Sequence, residues 1–250
     1  MSRLVFLAFQ AGLLTTMLNA LGAVPVLFMK RISQRTLDIG LGFASGVMIA
    51  ASFTSLIIPG IKLGGILPVL VGIAFGTITI SLADKVIPHM HAIIGAEGPS
   101  TGRLKAIWLF VIAVTLHNMP EGLAVGVGFG SGRLSEAMAL AIAIGLQNIP
   151  EGMSIGFSTI SIEGTPRWKA FLISFLSGLV ELPLSILGAA LVSLVKPIIP
   201  YAMGFAGGAM MFVVSDEMIP ETHRMGHERL ASYGLVIGLI VMLTLDVLLG

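Results

Sequence analysis

Eight apolar runs follow one another along the 250-residue chain, with short polar breaks between them. They lie at about 4–28, 36–60, 64–87, 104–130, 135–160, 168–194, 199–221 and 230–249. Each approaches or exceeds the roughly 20 residues that a helix needs to cross a bilayer. A spanning segment must satisfy its backbone hydrogen bonds internally, so each run predicts a transmembrane helix. The first run has Arg3 ahead of it and small residues at Gly22-Ala23, which is the layout of a secretory leader. It stays apolar to Phe28 and then meets Lys30-Arg31, so a retained span is expected. The predicted fold is all-α: a polytopic membrane protein, with residues 1–250 forming one eight-helix bundle domain.

Composition agrees. Hydrophobic residues make up 56% of the chain and charged residues only 11%, against about a quarter charged in a soluble domain. A net charge of +1 without a basic cluster gives no reason to expect nucleic acid. The absence of cysteine excludes disulfides, thiolate ligands and a cysteine nucleophile. Glycines recur at four-residue spacing, at Gly42/Gly46, Gly72/Gly76, Gly122/Gly126/Gly130, Gly152/Gly156 and Gly204/Gly208. In lipid such stripes let helix backbones approach closely. Only the connection at about 88–103 is long, and its glycines and Pro99 predict a mobile loop.

Orientation follows from Lys and Arg. The connections after helices 1, 3, 5 and 7 hold Lys30, Arg31, Arg35, Lys85, Arg103, Lys105, Arg167, Lys169, Arg224 and Arg229. The other side has Arg3, Lys62, Arg133 and Lys196. This bias places the odd-numbered loops in the cytoplasm and both termini outside a cell membrane, plasma or inner.

Within this apolar chain one polar motif occurs twice. His117-Asn118-Met119-Pro120-Glu121-Gly122 returns as Gln147-Asn148-Ile149-Pro150-Glu151-Gly152. The copies fall mid-span on helices 4 and 5, which run in opposite directions, so a pseudo-two-fold axis in the membrane plane relates them. His117 and Glu121 share a helix face, as do Gln147 and Glu151. Pro120 and Pro150 remove a backbone donor, which predicts kinks that free the carbonyls of Leu116 and Leu146. Glu181, central in helix 6 and followed by Pro183, repeats the theme.

Three carboxylates at one depth cannot all stay charged unaided. Two unit charges about 4 Å apart repel by roughly 4 kcal/mol at an effective dielectric near 20. Protons or a divalent cation must relieve them. Imidazole, amide and carboxylate donors together suit zinc, iron or related transition metals better than magnesium or calcium. The plain alternative is interhelical hydrogen bonding with no ligand.

The repeated motif, the eight spans and the outside termini make the chain resemble the ZIP family of divalent metal transporters along essentially its whole length. The resemblance implies Zn²⁺ as transported substrate, with Fe²⁺, Mn²⁺ or Cd²⁺ as related cargoes, moving toward the cytoplasm through a binuclear midplane site. By resemblance His117, Glu121, Gln147 and Glu151 form a first metal position. Asn118, Asn148 and Glu181 form a second, with Glu121 and Glu151 bridging. Met48 on helix 2 is a further soft donor to the first position, or simply a core methionine. Two departures stand out: many members carry His at the place of Gln147, and some carry Asp at the place of Asn148.

At the cytoplasmic ends of helices 3 and 7 lie Asp84, His89, His91, Asp216, Glu217, Glu221 and His223, a predicted exit route, against the alternative of solvated helix ends. Asp246 is expected to be merely interfacial. The expected partners are divalent metal ions, the lipid bilayer and a second copy of the chain in a homodimer. Two rival functions are an intramembrane metal-dependent hydrolase and a secondary transporter of another cation. The hydrolase would need three protein ligands, an open water position and a base, but the chain has neither His-Glu-x-x-His nor a serine nucleophile elbow.

Overall fold

The computed structural model describes residues 3–86, 89–91, 95–97, 106–161, 165–224 and 226–249, with side chains in the fourth helix described from residue 115. Eight helical rods are present among these residues: α1 (Arg3–Leu27), α2 (Gln34–Gly64), α3 (Ile66–Val86), α4 (Ala106–Gly130), α5 (Leu134–Ser161), α6 (Arg167–Leu194), α7 (Lys196–Thr222) and α8 (Glu228–Leu249). Among the described residues, α1, α2, α3, α6, α7 and α8 are long and apolar enough to cross a membrane by length and composition. The two that carry the repeated motif have 25 and 28 residues, which at 1.5 Å per residue gives about 38 and 42 Å.

Between α3 and α4, strands β1 (His89–His91) and β2 (Gly95–Glu97) pair antiparallel, with His89 opposite Glu97. The connection expected to be a plain loop thus contains a short hairpin. Tight turns elsewhere rest on glycine: Gly65, between α2 and α3, and Gly132, between α4 and α5, have φ of 81° and 84°, which side chains other than glycine rarely adopt.

The glycine stripes are seams between helix pairs. Gly42 and Gly46 of α2 lie on the α8 backbone at Ala231 and Leu235. Gly72 and Gly76 of α3 lie on Tyr201 and Phe205 of α7, and Gly122, Gly126 and Gly130 of α4 meet Glu181, Ser185 and Ala189 of α6. On α5, Gly152 meets Asn19 of α1. Leu, Ile, Phe and Val side chains such as Leu67, Phe75, Leu187, Ile240 and Val247 cover the outside, while Asn19, Glu121, Gln147, Asn148 and Glu181 are buried. Polar groups inside and apolar groups outside is the arrangement a lipid solvent demands.

Prolines shape the helices unevenly. α4 and α5 remain α-helical through Pro120 and Pro150. A widened, π-helical turn instead precedes Pro59 in α2, over Ser52–Ile57, and precedes Pro220 in α7, over Val214–Met218. Each proline crowds the carbonyl four residues back, and the wider turn accommodates the clash. α6 is interrupted by a two-residue turn, Leu179-Val180, between Arg167–Gly178 and Glu181–Leu194, both turn residues keeping right-handed helical dihedrals. Pro183 has no N–H to give the carbonyl of Leu179, so the break falls at Leu179-Val180 and Glu181 opens the second half.

Candidate metal centre

The repeated motif faces the interior from both helices. Asn118, Glu121, Gln147, Asn148 and Glu151 are all buried. The closing glycine of each copy serves helix packing. A Cβ on Gly122 would stand 2.5 Å from the Cα of Glu181, and one on Gly152 would strike the backbone carbonyl of Asn19. These contacts seat α6 against α4 and α1 against α5, and so bring Glu181 to the motif.

The side chains fall into two linked groups. Gln147 Nε2 donates to Glu121 Oε1 at 2.8 Å and to Glu151 Oε1 at 3.5 Å. Asn148 Nδ2 donates to Glu181 Oε1 at 2.7 Å and to the Thr15 carbonyl at 3.3 Å. The Thr15 hydroxyl also hydrogen-bonds Glu181. The groups feel one another: Glu121 interacts electrostatically with both Glu151 and Glu181. Acceptor atoms with no hydrogen-bond partner among the described residues remain in both groups, namely Glu121 Oε2 and Gln147 Oε1 in one, and Asn148 Oδ1 and Glu181 Oε2 in the other. Both polar atoms of Asn118 are likewise buried without such a partner. Buried acceptors of this kind are costly unless something electropositive meets them.

His117 takes a different partner from the one the motif suggested. Its Nε2 pairs with Glu217 Oε2 of α7. Glu217 is buried, and the π turn before Pro220 carries it. Glu151 and Asp84 also act electrostatically on His117, as does His117 on Glu221. Glu217 thus contacts the motif directly, and Asp84 and Glu221 lie within electrostatic reach of His117.

Asp216 is exposed. His223 is held locally by the Ile219 carbonyl and Thr222, each at 2.9 Å. His227 pairs with Asp38 at 2.9 Å. Met48 is fully buried in the apolar core that also holds Val47, Met210 and Met218. The side chains of His89 and His91 lie outside the described residues. Asp246 is more than interfacial, since Ser55 of α2 donates to it at 3.3 Å. Among the described residues no three His, Asp or Glu side chains are already gathered around one point as metal ligands.

Helix α1 was expected as a span but not as part of the centre. Asn19 Nδ2 donates to the Ser174 carbonyl at 2.6 Å, beside Gly152 and Gly178. The signal was an asparagine deep in an apolar run, which in lipid marks an interior face.

A profile described as ZIP Zinc transporter matches residues 95–246, more than half of the chain. The chain belongs to the ZIP family. Among its relatives, Zinc transporter ZIPB of Bordetella bronchiseptica is 41% identical over 244 residues, covering 93% of this chain and 78% of that protein. Zinc transporter GufA of Myxococcus xanthus is 36% identical, covering 96% and 98%. Human Zinc transporter ZIP11 is 34% identical, with 98% of each chain covered. Membership makes this ZIP protein a membrane transporter and not an enzyme, which removes the hydrolase reading.

Proposed function

We propose that this ZIP protein carries Zn²⁺ into the cytoplasm through the cluster built by α4, α5 and α6. One observation carries the reading. Glu121, Glu151 and Glu181 lie buried within electrostatic reach of one another, and among the described residues their hydrogen bonds come from amides and a hydroxyl. A dication relieves such a cluster better than any neutral donor. That the relatives above are named zinc transporters supports the choice of ion, and imidazole with carboxylate suits zinc chemically.

The division of the hydrogen bonds supports two metal positions. His117, Glu121, Gln147 and Glu151 serve the first; Asn118, Asn148 and Glu181 serve the second, with Glu121 and Glu151 between them. The amides have two uses. Turned one way, the Gln147 and Asn148 N–H groups quiet the carboxylates; turned the other, Oε1 and Oδ1 face the ion. Glu217, Asp84 and Glu221 then receive the ion beyond His117. Inward direction, a cell-membrane location, eight crossings with both termini extracytoplasmic, and homodimerisation belong to the same proposal. So do secondary roles for Met48, His89, His91, Asp216 and His223.

Reconstitution in proteoliposomes tests it. Zn²⁺ accumulates with the wild type and fails to accumulate with His117→Ala or Glu151→Ala, while folded protein remains in the membrane. Full accumulation by either variant would refute the assignment. Competition by Fe²⁺, Mn²⁺, Cd²⁺ and an organic cation separates a coordinated-metal site from a general cation site.

A further inference from the structure

At one end of the bundle, where α1 ends, α2 begins, α5 ends and α6 begins, lies a cleft of about 740 Å³. Lys30, Arg31 and Arg167 line it, together with the hydroxyl-bearing Ser158, Ser161 and Thr165. None of the described lining residues is acidic; Glu163 lies outside the described residues. Asp38 is the carboxylate nearest in sequence to the lining residue Gln34, and it is buried and turned to Gln34 and His227. Among the described residues, three cations and three hydroxyls thus line one cleft.

Two further features point to a particular ligand. The α6 N-terminus opens at this cleft, and Pro166 provides no side-chain cap. Among the described residues its backbone bonds to Pro166 begin at Lys169, and the first amides of a helix have no acceptor within it. Exposed apolar side chains lie close to these cations along the chain: Phe28, 74% accessible, is two residues before Lys30, and Trp168, 60% accessible, follows Arg167. Large apolar side chains next to cations belong at the headgroup level of a bilayer. A soluble anion would not ask for such neighbours, whereas an acyl chain would.

We propose that this cleft binds the phosphate of an anionic glycerophospholipid, with Lys30, Arg31 and the α6 N-terminus meeting the phosphate and Phe28 and Trp168 flanking the acyl chains. Arg167 gives one nitrogen to the carbonyls of Leu27 and Phe28, at 3.2 and 3.3 Å, so it ties α1 to α6 while its charge faces the cleft. Lipid binding here ties the end of α1 and the start of α2 to the start of α6. The location in the cytoplasmic leaflet rests on the orientation proposed above; the site itself does not.

The test uses the full-length protein in nanodiscs of phosphatidylcholine with or without phosphatidylglycerol, read by thermal unfolding and by lipid retention in native mass spectrometry. The wild type retains phosphatidylglycerol about tenfold over phosphatidylcholine and gains thermal stability from it. Lys30→Gln/Arg31→Gln loses that preference, yet matches the wild type in pure phosphatidylcholine and still transports Zn²⁺. Lys62→Gln/Lys196→Gln, on the opposite side, keeps the preference. Stabilisation by inorganic phosphate in pure phosphatidylcholine, lost in the same Lys30/Arg31 variant, would assign the cleft to soluble phosphate and overturn the lipid. A preference that survives in Lys30→Gln/Arg31→Gln, or is missing from the wild type, would overturn the site. Failure of zinc transport by every form would count against the transport reading alone.

Discussion

His117 on α4 and Glu217 on α7 meet side chain to side chain through Nε2 and Oε2, although 100 residues separate them. Imidazole Nε2 and carboxylate Oε2 are both metal-ligating atoms. Glu217 therefore stands where an ion leaving His117 would next find an oxygen. Glu217→Gln keeps size and removes charge. Zn²⁺ uptake by this variant in proteoliposomes falls about 10- to 100-fold, the usual cost of losing a partner of a metal-binding histidine. Glu217→Asp recovers part of the loss. Wild-type uptake by Glu217→Gln would place the pair off the transport path.

Gln147 is a donor to two carboxylates at once, at 2.8 and 3.5 Å. Gln147→His replaces this amide with a second imidazole at the first position. Calorimetry on the purified protein then shows Zn²⁺ binding tighter by about tenfold, because imidazole is the better ligand for this metal. The metal-free form loses a charge-quieting amide and melts earlier. Weaker binding by the histidine variant would show that position 147 does not meet the ion.

Gly122 and Gly128 lie on the same helix but face different neighbours. A Cβ at Gly122 meets the α6 backbone at Glu181, at 2.5 Å. At Gly128 the nearest atom is Leu140 Cδ2, at 3.3 Å, the end of a flexible side chain. Gly122→Ala accordingly destabilises by about 1–3 kcal/mol, while Gly128→Ala costs less than that. Thermal unfolding in one detergent compares the two directly. Equal melting temperatures would mean that the α4–α6 seam is not held by backbone contact.

What the sequence disclosed was local. Apolar length announced the helices, four-residue glycine spacing announced closely packed helix faces without saying which helices they join, and the twin motif named the buried cluster. Contacts that depend on bent backbone were hidden. Glu217 reads as a helix-end residue until the π turn before Pro220 brings it inward. Glu181 reads as mid-helix until the break at Leu179-Val180 puts it at a helix start, where a carboxylate is favoured by the helix dipole. Asn19 and Thr15 join the centre through α1, a helix with no motif to advertise it. Met48 illustrates the opposite limit, because depth alone did not tell a ligand from a core residue.

Asn148 quiets Glu181 at 2.7 Å with an N–H that an aspartate would lack. Asn148→Asp places a second carboxylate there instead, and two charges about 4 Å apart repel by roughly 4 kcal/mol at an effective dielectric near 20. Without metal the variant is therefore less stable than the wild type at neutral pH, and the difference shrinks as acid neutralises the pair. With metal the sign reverses, since the added charge strengthens the second position. Cd²⁺ titration followed by anomalous diffraction shows a stronger second peak beside Glu181 in Asn148→Asp than in the wild type. A variant with one peak and unchanged stability would leave the second position without support, while the first, tested through Gln147, would stand independently.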